Sequence, residues 1–251
     1  MKLNHTEYRS FLIGNVLGDG KIHNGSFSTN QISKDLIYFK KKIFDIYCNS
    51  NVKVTYKKSY TDRFGVNRQD SYFLYVSPNE YFKKIYKKYM INKNDGRVEN
   101  TIKVDIDILN KLTPLGIAIW FADDGTTVLV GATKGICKSR RVMFCTDRYS
   151  YEEVCVMRQF FESRYGGCSI VKRKDKYRLQ LSLEAVNRMF KEILPYFYKY
   201  FPSMLYKFDL GYREPYNTNG FSNKNLKIRD EYIQNIYNII KTHADFVDRL
   251  A

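Results

Sequence analysis

The sequence predicts an α+β fold built from two copies of one αββαββα unit, and three observations carry that expectation. Two apolar helical runs, Leu12 to Gly20 (LIGNVLGDG) and Ile117 to Gly125 (IAIWFADDG), each end in Asp-Gly, with Asp19 and Asp124 standing 105 positions apart. The same order of elements follows each run. Tyr72 and Tyr177 repeat the offset of 105, whereas Ser33 and Ser150 are 117 apart, so loops trade length while strands keep register.

Each Asp-Gly is an unusual place for negative charge. A carboxylate at a helix C-terminus faces the negative end of the macrodipole, so a positive group is expected beside Asp19, Asp123 and Asp124. After the first motif, Lys21 to Gln31 reads as a hairpin turned by Asn24-Gly25, a dipeptide suited to tight hairpin turns. Leu36, Phe39, Ile43, Phe44, Ile46 and Tyr47 give Asp35 to Cys48 a helical stripe. Strands at Val52 to Lys58 and Tyr72 to Ser77 flank a polar, Gly-containing loop, and a helix over about Glu80 to Met90 closes the unit.

In the second unit a longer hairpin, about Thr126 to Thr146, leads to a helix from Tyr151 to Tyr165, opened by Ser150 and Glu153 as a capping box. Strands at Ser169 to Arg173 and Tyr177 to Ser182 precede a helix over about Leu183 to Phe197. The expected division is a first half at 1–99, a linker at 100–111, a second half at 112–211 and an extension at 212–251. Within the extension Arg229 to Leu250 reads as an amphipathic helix, expected to pack over the second half.

The 42 Lys and Arg outweigh 26 Asp and Glu to give a net charge of +16, spread along the whole chain. With 22 Tyr and 17 Phe for packing and stacking, such a chain is expected to meet a polyanion, most often nucleic acid. Lys, Asn, Ile, Tyr and Phe are all residues of AT-rich codons, yet a codon bias would still leave the charge to be used. Cys48, Cys137, Cys145, Cys155 and Cys168 form no CxxC pair and the three His are dispersed, which argues against a zinc site or a disulfide scaffold. No run approaches the ~20 apolar residues of a membrane helix. The N-terminal stretch shows neither a signal-peptide core nor an Arg-rich transit pattern, which predicts a protein that stays where it is made.

Strand alternation gives each sheet two unlike faces. Val52, Val54 and Tyr56 alternate with Lys53, Thr55 and Lys57, and Leu179 and Leu181 with Arg178, Gln180 and Ser182. The apolar set is expected under the helices, leaving a basic, hydroxyl- and amide-bearing face outside. The candidates for contacting DNA are Lys21, His23, Ser28, Asn30, Lys53, Thr55, Lys57 and Tyr75 in the first half, and Lys172, Lys174, Arg178, Gln180 and Ser182 in the second. Antiparallel ribbons fit the major groove, and these side chains match base edges.

Gly14 and Gly18 in one motif helix and Ala118 and Ala122 in the other are small residues four apart, which permits close helix packing. Their terminal carboxylates would then converge, which is tolerable when a cation neutralises them. Oxygen ligands facing phosphate suggest Mg²⁺ and metal-assisted phosphodiester hydrolysis.

These residues resemble the LAGLIDADG homing endonucleases of the single-chain, two-motif kind. Leu12, Gly14, Asp19 and Gly20 match in the first copy, and Ala118, Asp124 and Gly125 in the second, whose wording from Leu112 (LTPLGIAIWFADDG) is similar to the yeast mitochondrial omega-intron branch. The resemblance spans roughly residues 8 to 210. It implies that Asp19 and Asp124 are the metal-binding carboxylates, one per DNA strand, with Gly18 and Asp123 beside them in the metal environment. It also implies a basic residue late in each half, near the nucleophilic water: Lys207 in PSMLYKF, and Lys103, with Arg97 as a substitute, in the first half. Asn15 and Ile119 depart from the family pattern and point to an asymmetric helix interface.

The resemblance further implies a monomer whose two sheets form a saddle over double-stranded DNA, cutting a long target across the minor groove with Mg²⁺ to leave 3′ overhangs. Two alternatives share the fold: an intron maturase acting on RNA, and a non-cleaving DNA-binding regulator. A mitochondrial gene is favoured, with a plastid, bacterial or phage genome as alternatives.

Overall fold

A computed structural model describes residues 2–62, 65, 67–91, 101–130 and 139–208. The proposed helix over Arg229 to Leu250, and Arg97, lie outside the described residues. The first half contains α1 (His5–Leu17), β1 (Lys21–His23), β2 (Ser26–Gln31), α2 (Lys34–Tyr47), β3 (Val52–Lys57), β4 (Tyr60–Thr61), β5 (Asn67–Arg68), β6 (Ser71–Val76) and α3 (Glu80–Tyr89). Then come β7 (Met90–Ile91), β8 (Thr101–Ile102) and α4 (Ile106–Leu109). The second half follows with α5 (Pro114–Asp124), β9 (Gly125–Val130), β10 (Ser139–Phe144), α6 (Tyr151–Tyr165), β11 (Cys168–Arg173), β12 (Lys176–Leu181), α7 (Leu183–Tyr200) and a 3₁₀ helix, Pro202–Phe208.

Local chemistry accounts for the boundaries. Asn4 and Glu7 form a reciprocal capping box at α1, both bonds 2.9 Å, and Ser150 and Glu153 do the same at α6. Asn24 and Gly25 adopt φ +49° and +80°, the left-handed pair that a two-residue hairpin turn demands. Pro114 opens α5, where its missing N–H costs nothing.

Both large sheets are antiparallel, and their strand orders are β1-β2-β6-β3 and β9-β10-β12-β11. The orders match position for position, so the duplication read from the sequence is a duplication of topology. Two expectations need correction. The loop between β3 and β6 contains a small hairpin, β4 with β5. Within the expected linker, residues 101–111 are no plain connection: β8 pairs with β7, Asp105 caps α4, and Ile102, Val104, Ile108 and Leu109 are buried. Four apolar side chains there gain more from the core than from solvent.

Helices α1 and α5 pack against each other at the centre, with Phe11, Leu17, Ile117 and Phe121 fully buried. A Cβ on Gly14 would lie 2.1 Å from the carbonyl oxygen of Gly116, and one on Gly116 would lie 2.3 Å from Ser10 Oγ. The tightest approach therefore uses Gly116, a residue that the Ala118 and Ala122 spacing did not single out. The Phe121 ring sits 5.9, 5.7, 5.7 and 5.4 Å from those of Phe144, Phe190, Phe197 and Phe208. This aromatic cluster ties the second motif helix to its sheet, to α7 and to the 3₁₀ helix. Among the described residues no helix is long and apolar enough to cross a membrane.

Candidate functional site

The close packing of α1 and α5 brings their C-terminal ends together. Asp19 follows the last turn of α1 and is exposed, whereas the Asp123 side chain, on the last turn of α5, is fully buried and reaches across to the first half. One Asp123 oxygen accepts from the Asp19 N–H at 3.1 Å and from Lys40 Nζ at 2.9 Å. The other accepts from Lys40 Nζ at 2.8 Å and from Gln31 Nε2 at 2.9 Å. Gln31 Nε2 also donates to the Asp19 carboxylate at 2.8 Å. Burial pushes the Asp123 carboxyl up, against the pull of Lys40.

Neither Lys40 nor Gln31 was singled out in the sequence, although each carried a signal. Lys40 lies four residues after Leu36 and three before Ile43, on the apolar stripe of α2, where an unpaired charge would be costly. Gln31 continues the inward row of Phe27 and Thr29 in β2, so its amide points to the core side.

Asp124 sits differently. Among the described residues no N–H or O–H donates a hydrogen bond to its carboxylate, and its pKa is pushed up to about 8, chiefly by burial and then by Asp19, with Arg148 and Lys207 opposing. The positive groups expected at the helix ends are in place. Arg148 Nη2 donates to the carbonyls of Val16, Leu17 and Gly18 at 2.6, 2.7 and 2.5 Å, closing the end of α1 from the second half. Lys207 Nζ donates to the carbonyl of Gly125 at 2.7 Å and lies 3.3 and 3.5 Å from those of Phe121 and Asp123. Burial lowers the Lys207 pKa to about 8, while Asp123 and Asp124 hold it from falling further. The 3₁₀ helix carrying Lys207 is itself strapped to both halves: Ser203 N donates to Asp35 at 2.7 Å, and Thr127 Oγ1 donates to the Lys207 carbonyl.

The other three candidates for the metal environment and its basic partners have contacts of their own. Both Asp123 oxygens are saturated by donors, so Asp123 supports Asp19 and offers no open ligand position. The Gly18 carbonyl is taken by Arg148, and a Cβ on Gly18 would fall 2.5 Å from the Asp123 side chain, so Gly18 makes room for that residue. Lys103 is 63 % exposed and pairs with Asp105 at 3.8 Å, and no contact with the Asp cluster is seen.

The strand register sorts the surface candidates. Lys21, Ser28, Tyr75 and Lys53 form one cross-strand row, and Asn30, Phe73 and Thr55 the next, with Lys57 and His23 on the same face by alternation. The opposite face carries buried Phe27, Leu74 and Val76. Lys57 Nζ lies 4.6 Å from the centre of the Phe73 ring. Tyr56 belongs to the inner row yet is 52 % exposed, its ring lies 5.4 Å from that of Tyr72, and its hydroxyl donates to Asp70 at 2.5 Å.

In the second half Arg178 and Gln180 share the outer face, but both guanidinium contacts of Arg178 go to Asp147. Lys172 pairs with Tyr177 in the row of Leu179, on the helix side, where the Tyr151 ring lies 4.8 Å from that of Tyr177. Arg173 takes the outer position instead. Lys174 is the positive-φ turn residue between β11 and β12. Ser182 caps α7, its hydroxyl accepting from the Ala185 N–H at 3.4 Å.

Among curated proteins the chain is similar to the cytochrome b mRNA maturase bI2 of Saccharomyces cerevisiae, with 28% identity over 216 residues, 79% of this chain and 46% of that protein. The chain therefore spans less than half the length of that relative. Among solved structures it is similar to the homing endonuclease I-WcaI bound to its DNA recognition sequence, with TM-score 0.65 and 21% identity over 82% of this chain and 88% of that one. That likeness carries the fold. The model of the LAGLIDADG DNA endonuclease family matches residues 9–189, most of the chain and both Asp-Gly motifs, and the chain belongs to that family.

Proposed function

We propose that this chain is a site-specific endonuclease that hydrolyses both strands of a long double-stranded DNA target with a divalent cation, Mg²⁺ foremost. The observation that carries the reading is the convergence of Asp19 and Asp124 at two packed helix ends, one from each half, beside buried cationic groups. Among the described residues no group of three or more His, Cys, Asp or Glu is placed to hold an ion alone. The donor set nevertheless fits a hard cation that shares its ligands with substrate. Asp19 is exposed, Asp124 receives no hydrogen bond among the described residues, and scissile phosphates and water would complete the oxygen shell. A divalent ion held there by Asp19 and Asp124 would supply activation of a water and neutralisation of charge at the leaving oxygen.

The residues of the chain do the rest. Lys207, with a pKa lowered to about 8 and lying beside the end of α5, is suited to hold or move a proton near that water at neutral pH. Lys40, Gln31 and Asp123 orient Asp19. The outer rows of the first sheet, with Lys21, Lys53 and Lys57, track phosphates, while Asn30, Thr55 and Gln180 are placed for base edges. One chain supplies both motifs, so a monomer suffices for both strands. The strand breaks are staggered with 3′ overhangs, as the family resemblance implies.

The test is selection of cleaved molecules from a randomised duplex library with and without Mg²⁺. Cleavage is expected at one long site, and Asp19→Asn or Asp124→Asn should abolish double-strand cutting while leaving binding largely intact. Loss of binding with cutting per bound complex preserved would sink the assignment. A second reading, RNA splicing as a maturase, is favoured by the yeast relative, which is named for that activity. It predicts that the chain stimulates splicing of an intron RNA even with Asp19→Asn. Kinship with a cytochrome b mRNA maturase also accords with an organellar gene.

A further inference from the structure

Among the described residues the buried array around Asp123 occurs once, although the fold is duplicated. The offsets of the repeat place Gly18 opposite Asp123, and Met157, fully buried, opposite Lys40. Gln31 pairs with Tyr72, and the residue that meets the matching Tyr177 is Thr146, whose hydroxyl donates to the Tyr177 carbonyl at 2.7 Å. Glycine, methionine and a committed threonine cannot reproduce a carboxylate clamped by an ammonium and an amide. Gly18 is also required by that clamp, because a side chain there would displace Asp123.

We infer that Lys40 is a positioning residue that makes the two halves of the site unequal: acting through Asp123 from across the pseudo-twofold axis, it holds Asp19 in place, and among the described residues nothing equivalent holds Asp124. The path is short. Lys40 fixes both Asp123 oxygens, Asp123 accepts the Asp19 N–H, and Gln31 bridges the two carboxylates. The Asp19 carboxylate is thereby ordered before DNA or metal arrives, and the strand it serves is the one cut first. This rests on the endonuclease reading, but the ordering itself can be measured without metal or DNA.

Removing Lys40 alone would strand a buried carboxylate, so the working variant is Lys40→Met with Asp123→Asn, which neutralises both partners. Two readouts on the full chain decide. In metal-free protein, hydrogen exchange of the Asp19 amide should rise about 10-fold or more in the double variant, whereas the Cys145 amide, bonded to the Asp124 carbonyl at 3.0 Å, should stay within about 2-fold. In strand-resolved nicking of a labelled target, one strand should slow by about 10-fold or more and the other by less than about 2-fold, with DNA affinity unchanged. Lys40→Arg, which keeps the charge, should restore most of the difference. Equal changes at both amides, or equal slowing of both strands, overturn the inference. If the wild-type chain cuts no DNA with any divalent ion, the endonuclease reading falls and the two amides still decide the role of Lys40.

Discussion

A lysine on the apolar stripe of a helix has to be paired to remain there, and the partner of Lys40 is a carboxylate from the other half of the molecule. Removing one member of such a pair leaves the other charged and dry. Lys40→Met alone should therefore destabilise the fold by about 3–5 kcal/mol in urea unfolding, and adding Asp123→Asn should recover most of that loss. Asp124 makes a different prediction. Its pKa is raised to about 8 by burial and by Asp19, so folding of the metal-free chain takes up a proton between the usual carboxylate range and pH 8. The stability this group contributes is full below that range and is lost as pH rises through 8, at up to about 1.4 kcal/mol per pH unit. Asp124→Asn should flatten the slope between pH 5 and 8 in thermal melts across that range. Asp19, Asp124 and Lys207 were legible as residues because motif wording marks them. Lys40 and Gln31 were not, because their meaning depends on which carboxylate reaches them through space. Lys103 was chosen by its position late in the first half, and position in the chain does not decide which surface a side chain faces.

At the scale of elements, the two motif helices set everything else, since each ends at a candidate carboxylate and each is locked to the other by glycine contacts. A methyl group on Gly14 would meet the Gly116 backbone at 2.1 Å, and backbone has no rotamer with which to move aside. Gly14→Ala is expected to cost about 3 kcal/mol or more and to lower the urea midpoint, because the helices must part. A mild effect would mean that the helix ends tolerate separation. Helices and hairpins were readable from period, caps and the Asn24-Gly25 turn, because those signals are local. Register was readable only where alternation was unambiguous. In β3 the apolar or aromatic residues alternate strictly with polar ones, and the face of Lys53 and Thr55 follows. In β11 the neighbours Ile170 and Val171 are both apolar, so either could face the core, and alternation alone does not give the face of Lys172. The segment 100–111 reads as a connection in the sequence because its elements are only two to four residues long, too short for a period to show.

On the scale of the whole molecule, the formal charge of +16 outlasts any single contact. Each phosphate neutralised by a lysine or arginine releases a condensed counterion, so affinity must fall with salt in proportion to the number of contacts. If the two sheets together neutralise ~10 phosphates, binding should weaken about 10⁵-fold between roughly 50 and 200 mM salt. The charges proposed to meet phosphate differ between the two sheets. Lys53 and Lys57 lie exposed on the outer face of the first sheet, whereas Arg178, on the equivalent face of the second, is held by Asp147 at 2.7 and 2.5 Å. Lys53→Ala with Lys57→Ala should reduce the salt slope by about 2, about 1 for each phosphate lost. Arg178→Ala should reduce it by well under 1, because breaking the pair with Asp147 offsets the attraction to DNA. Fluorescence anisotropy titrations over a series of salt concentrations measure all three slopes. A flat response in the wild-type chain would remove the basic saddle, and a full unit lost with Arg178→Ala would show that DNA takes the guanidinium from Asp147 as it binds.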